Sequence, residues 1–194
     1  MDRGLEAPPE DRDGLYQLML DRISDMVHDI GHSDFSDWET LARIDQEVEM
    51  RRSLGGKLEA AARGAYTLTQ ESEVIEAKRT DLRLASVRGD RRAVIELKLS
   101  HRWTLKELEA ALTHQLEHQY LRHQSCRAGC LLITDNGAQK SCRIGQGLRH
   151  TFDQLISRLQ RLAAERTAAS PVDIRMTVVG LPLRPGAPAG KSRP

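Results

Sequence analysis

Asp81, Glu96 and Lys98 are the residues whose types and spacing suit a hydrolytic chemistry. Glu96 and Lys98 are separated by one residue in Val94-Ile95-Glu96-Leu97-Lys98-Leu99, a run whose other members are aliphatic. In a strand alternate side chains share a face, so Glu96 and Lys98 point the same way while Ile95, Leu97 and Leu99 enter the core. The preceding stretch behaves alike, with Leu82 and Leu84 toward the core and Asp81 and Arg83 away from it. Arg88-Gly89-Asp90 is a good hairpin turn. It sets the two strands side by side and brings Asp81 near Glu96, with the register open by a residue or two. Phosphodiester cleavage by a bound divalent ion needs hard oxygen ligands, an activated water and positive charge beside the phosphate. Asp81 and Glu96, with the backbone carbonyl of Leu97, would ligate Mg²⁺ or Mn²⁺. Lys98 would place the attacking water or offset charge developing in the transition state.

Such side chains need strands to hold them, and the hydrophobic period of the chain provides them. Residues 65–74, 79–86 and 92–99 are short, rich in aliphatic or β-branched residues and separated by polar punctuation, so they read as a three-strand meander. A helix follows from Thr104, an N-cap with Glu107 three residues on, to about Arg122. Residues 128–134 are continuously apolar, as a strand buried on both faces should be. A further helix spans about 147–168, and a last strand covers 172–181. Ahead of the meander, Leu15, Leu18, Met19, Ile23, Met26, Val27 and Ile30 form the stripe of an amphipathic helix. Asp34 or Ser36 caps the next helix, where Leu41, Ile44, Val48, Leu54 and Leu58 continue a pattern that Gly55-Gly56 kinks or divides. The order is α-β-β-β-α-β-α-β, an α/β fold with an added N-terminal helix. Its expected divisions are a loose tail at 1–12, a helical extension at 13–38, the main domain at 39–183 and a second loose tail at 184–194.

The 194 residues suffice for one domain with its own core. Hydrophobic residues are 39% and aromatics only 4%, so that core must be aliphatic. A formal net charge of +1 excludes a whole-molecule field drawing the protein onto nucleic acid, so DNA affinity must come from local basic clusters. Three cysteines, Cys126, Cys130 and Cys142, do not make a secreted disulfide framework. No apolar run approaches the ~20 residues of a membrane span. The expectation is a soluble, cytoplasmic protein.

Asp81, fourteen intervening residues, then Glu96-Leu97-Lys98 at the end of an aliphatic strand resembles the signature of the PD-(D/E)xK nuclease superfamily, whose restriction-endonuclease-like core has the order α-β-β-β-α-β. That resemblance implies a mixed central sheet flanked by helices over residues 40–134 and a Mg²⁺- or Mn²⁺-dependent deoxyribonuclease. The family pattern begins Pro-Asp, whereas this chain has Thr80-Asp81, which leaves the ligand in place. Many members add a glutamate on the first core helix as a metal ligand, and Glu47 is the best match, with Glu49 and Glu59 as rivals. Exonuclease-like and resolvase-like members carry a glutamine, often followed by a tyrosine, on the helix after the ExK strand. Gln115 is the first candidate for that catalytic role and Gln119 the second, with Tyr120 beside it, although the spacing departs from the family's Gln-three-Tyr form. Gln119, Tyr120, Arg83 and Arg122 are the expected substrate contacts. The longer stretch from Gly64 to Arg122 resembles nuclease modules at the carboxyl end of larger bacterial proteins, some of them in anti-phage defence, which implies a larger defence-complex partner.

Other readings compete. Surface strands often alternate opposite charges for solubility, and a silent nucleic-acid-binding or protein-interaction module on the same fold would carry the same pattern without binding metal. RNA stays open as a substrate beside DNA, and a homodimer is compatible with cutting two strands. Cys126, Cys130 and Cys142 with His118 and His123 invite zinc, but the spacings fit no standard finger, and core or incidental cysteines are the better reading. Arg79, Arg83, Arg91, Arg92, Lys106, Arg122 and Arg127 are candidates for phosphate contacts, although a solvated charged face explains most of them equally well.

Overall fold

The computed structural model describes residues 6–69, 82–137, 142–143 and 149–183, with backbone alone for 142–143 and 149–150. Asp81, Thr80 and Arg79 lie outside the described residues. In chain order the elements are α1 (Arg12–His32), α2 (Trp38–Ala42), α3 (Glu47–Ala60), β1 (Tyr66–Thr69), β2 (Leu82–Ser86), β3 (Arg92–Leu99) and a 3₁₀ turn (Ser100–Arg102). Then come α4 (Leu105–Ala110), continued as a π-helix over Ala111–Tyr120, β4 (Cys126–Asp135), β5 (Cys142–Arg143), β6 (Arg149–His150), α5 (Phe152–Ala169) and β7 (Arg175–Pro182).

Five strands form one mixed sheet in the order β1-β2-β3-β4-β7, and β5 and β6 pair as a small separate hairpin. β1, β2 and β3 are an antiparallel meander, while β4 and β7 run parallel to β3, each reached by a crossover that contains a helix. The turn at residues 88–90 closes the β2–β3 hairpin, with Gly89 at φ 87°, a conformation that side chains with a Cβ resist. This is the α/β architecture with a mixed, helix-flanked sheet that the sequence led us to expect.

The period of two along β3 and β4 divides the core. Ala93, Ile95, Leu97 and Leu99 of β3, with Ala128, Cys130 and Leu132 of β4, meet Leu15, Met19, Ile23, Met50, Leu54 and Leu58 of α1 and α3. Val94, Leu131 and Ile133 meet α4, its π-helical continuation and α5 on the other face. Burying each such Leu or Ile stabilises the fold by roughly 1.5–3 kcal/mol relative to exposure. Gly129 lets the π-helix approach β4, because a Cβ there would stand 2.7 Å from Leu116 Cδ1. No helix among the described residues is long and apolar enough to cross a membrane.

Several elements differ from expectation. The second helical stretch divides at residues 43–46, not at Gly55-Gly56, through which α3 runs unbroken, and Val48 is exposed. Gly55 is buried there, so it serves helix packing rather than a break. Neither Asp34 nor Ser36 is the N-cap of α2, a position taken by Asp37. Helix α5 starts at Phe152, where Thr151 and Gln154 form a capping box, rather than near residue 147. β7 starts at Arg175, since Asp173 before it is drawn into ion pairs with Arg12 and Arg175. Residues 6–11, read from the sequence as loose, lie against the body through polar contacts. Glu6 pairs with Arg22 and Arg63, and the Pro9 carbonyl accepts from Ser86 Oγ at 2.8 Å.

Candidate active site at the end of strand β3

Among the described residues β2 begins at Leu82, opposite Ile95. Beyond Ile95, therefore, β3 runs on from Glu96 to Leu99 with β4 as its paired neighbour. Into this stretch the alternation places Glu96 and Lys98, on the face opposite Ile95 and Leu97. They are not solvated charges on an outer surface, since Glu96 is 2% exposed and Lys98 5%. Lys98 Nζ lies 2.9 Å from Glu96 Oε1 and 3.8 Å from Glu47 Oε2. Glu47 reaches it from the first turn of α3, where a carboxylate also complements the helix dipole.

The Lys98 ammonium also sits 4.4 Å from the centre of the Trp103 ring, a cation–π contact. The same indole donates its Nε1–H to Glu47 Oε1 at 2.5 Å. One layer out, Asp45 accepts from Arg102 at 2.8 Å and pairs with His101 Nε2 at 2.7 Å. Those two hydrogen bonds, that from Arg102 above all, hold the Asp45 carboxyl down to about 2. The turn after β3 is thus fastened to the start of α3 by paired contacts, Arg102 and His101 to Asp45, and Trp103 and Lys98 to Glu47.

Removing charges from water costs several kcal/mol per ion, so such a cluster is weak as a source of stability. Two carboxylates, Glu47 and Glu96, converge on the Lys98 ammonium. Hard carboxylate oxygens are the donor set that Mg²⁺ or Mn²⁺ takes, so these residues fit such an ion. Among the described residues no group of three His, Cys, Asp or Glu side chains gathers as a metal site. Glu47 and Glu96 make two, and Asp81, the third member expected, is outside that set. The Leu97 side chain is in the core, so only its backbone carbonyl is available as a ligand.

Of the three glutamates considered for the first helix, Glu47 faces Lys98, while Glu49 and Glu59 are exposed. Gln115 is half-buried on the π-helix, with its Oε1 enclosed and without a hydrogen-bond partner among the described residues. Gln119 is exposed, and Tyr120 packs against the core between the sheet and α5. Arg122 is exposed and lies 3.3 Å from His118 Nδ1, and Arg83 is half-buried on β2. Burial pushes the Cys130 thiol up to about 12, and a protonated thiol is a poor zinc ligand.

Reading the sequence missed Trp103, Asp45, His101 and Arg102. A signal for the first existed, since Trp103 is one of two tryptophans in a chain that is 4% aromatic and follows Lys98 by five residues. Asp135, buried at the end of β4, was also missed. It accepts from Ser100 Oγ and from the Gly137 amide, both at 3.2 Å, and so ties off the ends of two parallel strands. Fold and site together define an α/β protein with an acidic and basic cluster at the end of its central strand, β3. Compared with known proteins, the chain matches no family model, no curated protein and no solved structure.

Proposed function

We propose that this chain is a metal-dependent nuclease that hydrolyses phosphodiester bonds in DNA. The observation that carries the reading is the convergence of Glu47 with the buried Glu96 and Lys98 in one spot at the end of β3. Asp81 completes the set in this proposal. Its chain neighbour Leu82 pairs with Ile95, which is the chain neighbour of Glu96.

A bound Mg²⁺ or Mn²⁺ supplies Lewis acidity and lowers the pKa of its water. Glu96, Glu47 and Asp81 would hold that ion, with the Leu97 carbonyl as a neutral oxygen. Lys98 would donate a hydrogen bond to the attacking water or to a phosphate oxygen, where negative charge grows. Apolar surroundings strengthen each of these interactions. Gln115, with its enclosed carbonyl oxygen, is the candidate on the π-helix for ordering water. A π-helix is uncommon and recurs at functional sites, which supports looking there.

Purified protein with Mn²⁺ is expected to nick supercoiled plasmid, and Asp81→Ala and Lys98→Ala are each expected to abolish nicking while circular dichroism stays unchanged. Cleavage that survives both substitutions refutes the assignment.

A further inference from the structure

We infer that Trp103 is a positioning residue of this site, holding the Lys98 ammonium against its ring face and the Glu47 carboxylate at its ring edge. The inference rests on reading Glu47, Glu96 and Lys98 as a metal-dependent site, and it gives a role to a side chain that neither ligates nor exchanges protons.

The geometry is two-handed. The Lys98 ammonium is 4.4 Å from the ring centre and the indole nitrogen is 2.5 Å from Glu47 Oε1. Lysine loses several rotamers when held still, so a brace matters most for the longest side chain of the cluster. An indole is rigid and has two torsions, and this one packs against the core beside α4. One plane therefore sets the separation between the cation that assists and a carboxylate that ligates. Trp103 is held in turn, because it follows directly on the turn whose His101 and Arg102 grip Asp45. An aromatic residue needed only to fill space would require neither a cation on its face nor a carboxylate at its nitrogen.

Two variants separate the two contacts. Trp103→Phe keeps a ring beneath Lys98 and removes the donor to Glu47, while Trp103→Leu removes both. Residues that orient metal ligands typically contribute ten- to a hundredfold to metal affinity or activity. Trp103→Phe should therefore raise the Mn²⁺ concentration for half-maximal cleavage about tenfold and keep kcat at saturating Mn²⁺ within about threefold. Trp103→Leu should also lower kcat, by about ten- to a hundredfold.

A second readout needs no turnover. The chain has two tryptophans, Trp38 and Trp103, so a ¹H–¹⁵N spectrum of the whole chain carries two indole signals, one serving as reference. Glu47→Gln should move the Trp103 signal and leave that of Trp38, and Mn²⁺ should broaden Trp103 at lower concentration than Trp38. A wild type that cleaves DNA while both folded variants keep its kcat and Mn²⁺ requirement overturns the role of Trp103 and leaves the site standing. A Trp103 signal indifferent to Glu47→Gln also overturns it. A wild type that neither cleaves nor shows Mn²⁺ broadening overturns the site and the brace together.

Discussion

Among the described residues a buried glutamate meets a cation at two places, and the two places are built differently. On the π-helix, Glu117 receives the Arg166 guanidinium of α5 with both oxygens, at 2.7 and 2.9 Å, so one anion closes on one cation. At the end of β3, Glu96 and Glu47 converge on the single ammonium of Lys98. A fork-to-fork pair satisfies its own charge and fixes the angle between two helices. Two carboxylates gathered at one ammonium present the hard oxygens that a divalent cation takes. The difference separates a fastening from a candidate site, although both rest on buried Glu beside a basic residue.

Removing the Lys98 charge without removing its volume should have the largest effect. Lys98→Met should lower cleavage by about 10²–10³-fold, the usual cost of losing a donor to developing charge. The same change should leave Mn²⁺ binding intact or tighter by calorimetry, because the ion then has no competing ammonium. Glu96→Gln should instead lose both binding and cleavage. Equal loss of metal affinity in the two variants would make Lys98 and Glu96 a structural pair after all.

Packing of the π-helix is the next largest effect. Gly129→Ala drives a Cβ to 2.7 Å from Leu116 and 3.2 Å from Leu121, so denaturant melting should show a loss of about 1–3 kcal/mol. Glu117→Ala opens the fastening, but Arg166 is well exposed and solvent screens the pair, so the expected loss is only about 1 kcal/mol with kcat unchanged. A fall in kcat there would mean that both clusters serve the site. The smallest effect concerns the start of α4. Thr104→Ala should cost about 1 kcal/mol as a lost N-cap. The Glu107 carboxyl is held below its usual range by the Thr104 backbone amide and then its hydroxyl. Its stabilisation is therefore present above the unfolded-state pKa and fades as pH falls through the lower folded value. Glu107→Gln should flatten that acid limb of the stability profile.

The parts legible in the sequence were those written in local pattern. Alternation located Glu96 and Lys98 on one face of β3, Arg88-Gly89-Asp90 located the hairpin, and Thr104 with Glu107 located the start of α4 as a capping box. Burial of that charged face was not legible, because alternation says which side chains share a face and not what covers it. Nor was the π-helix over Ala111–Tyr120, which seats Leu116 and Leu121 on Gly129, since a step of five residues leaves no separate mark in hydropathy. Trp103 and Asp45 act through partners about 56 residues away in sequence, beyond any local reading. Gly55-Gly56 misled because burial of Met50, Leu54 and Leu58 holds α3 through both glycines and outweighs their low helix propensity.

Diffraction at the manganese edge, from crystals of the whole chain soaked in Mn²⁺, tests the central claim most directly. One strong anomalous peak is expected in contact with Glu96 and Asp81 and beside Lys98, absent in Glu96→Gln crystals. A well-ordered map with Mn²⁺ bound elsewhere, or with none at the end of β3, contradicts it.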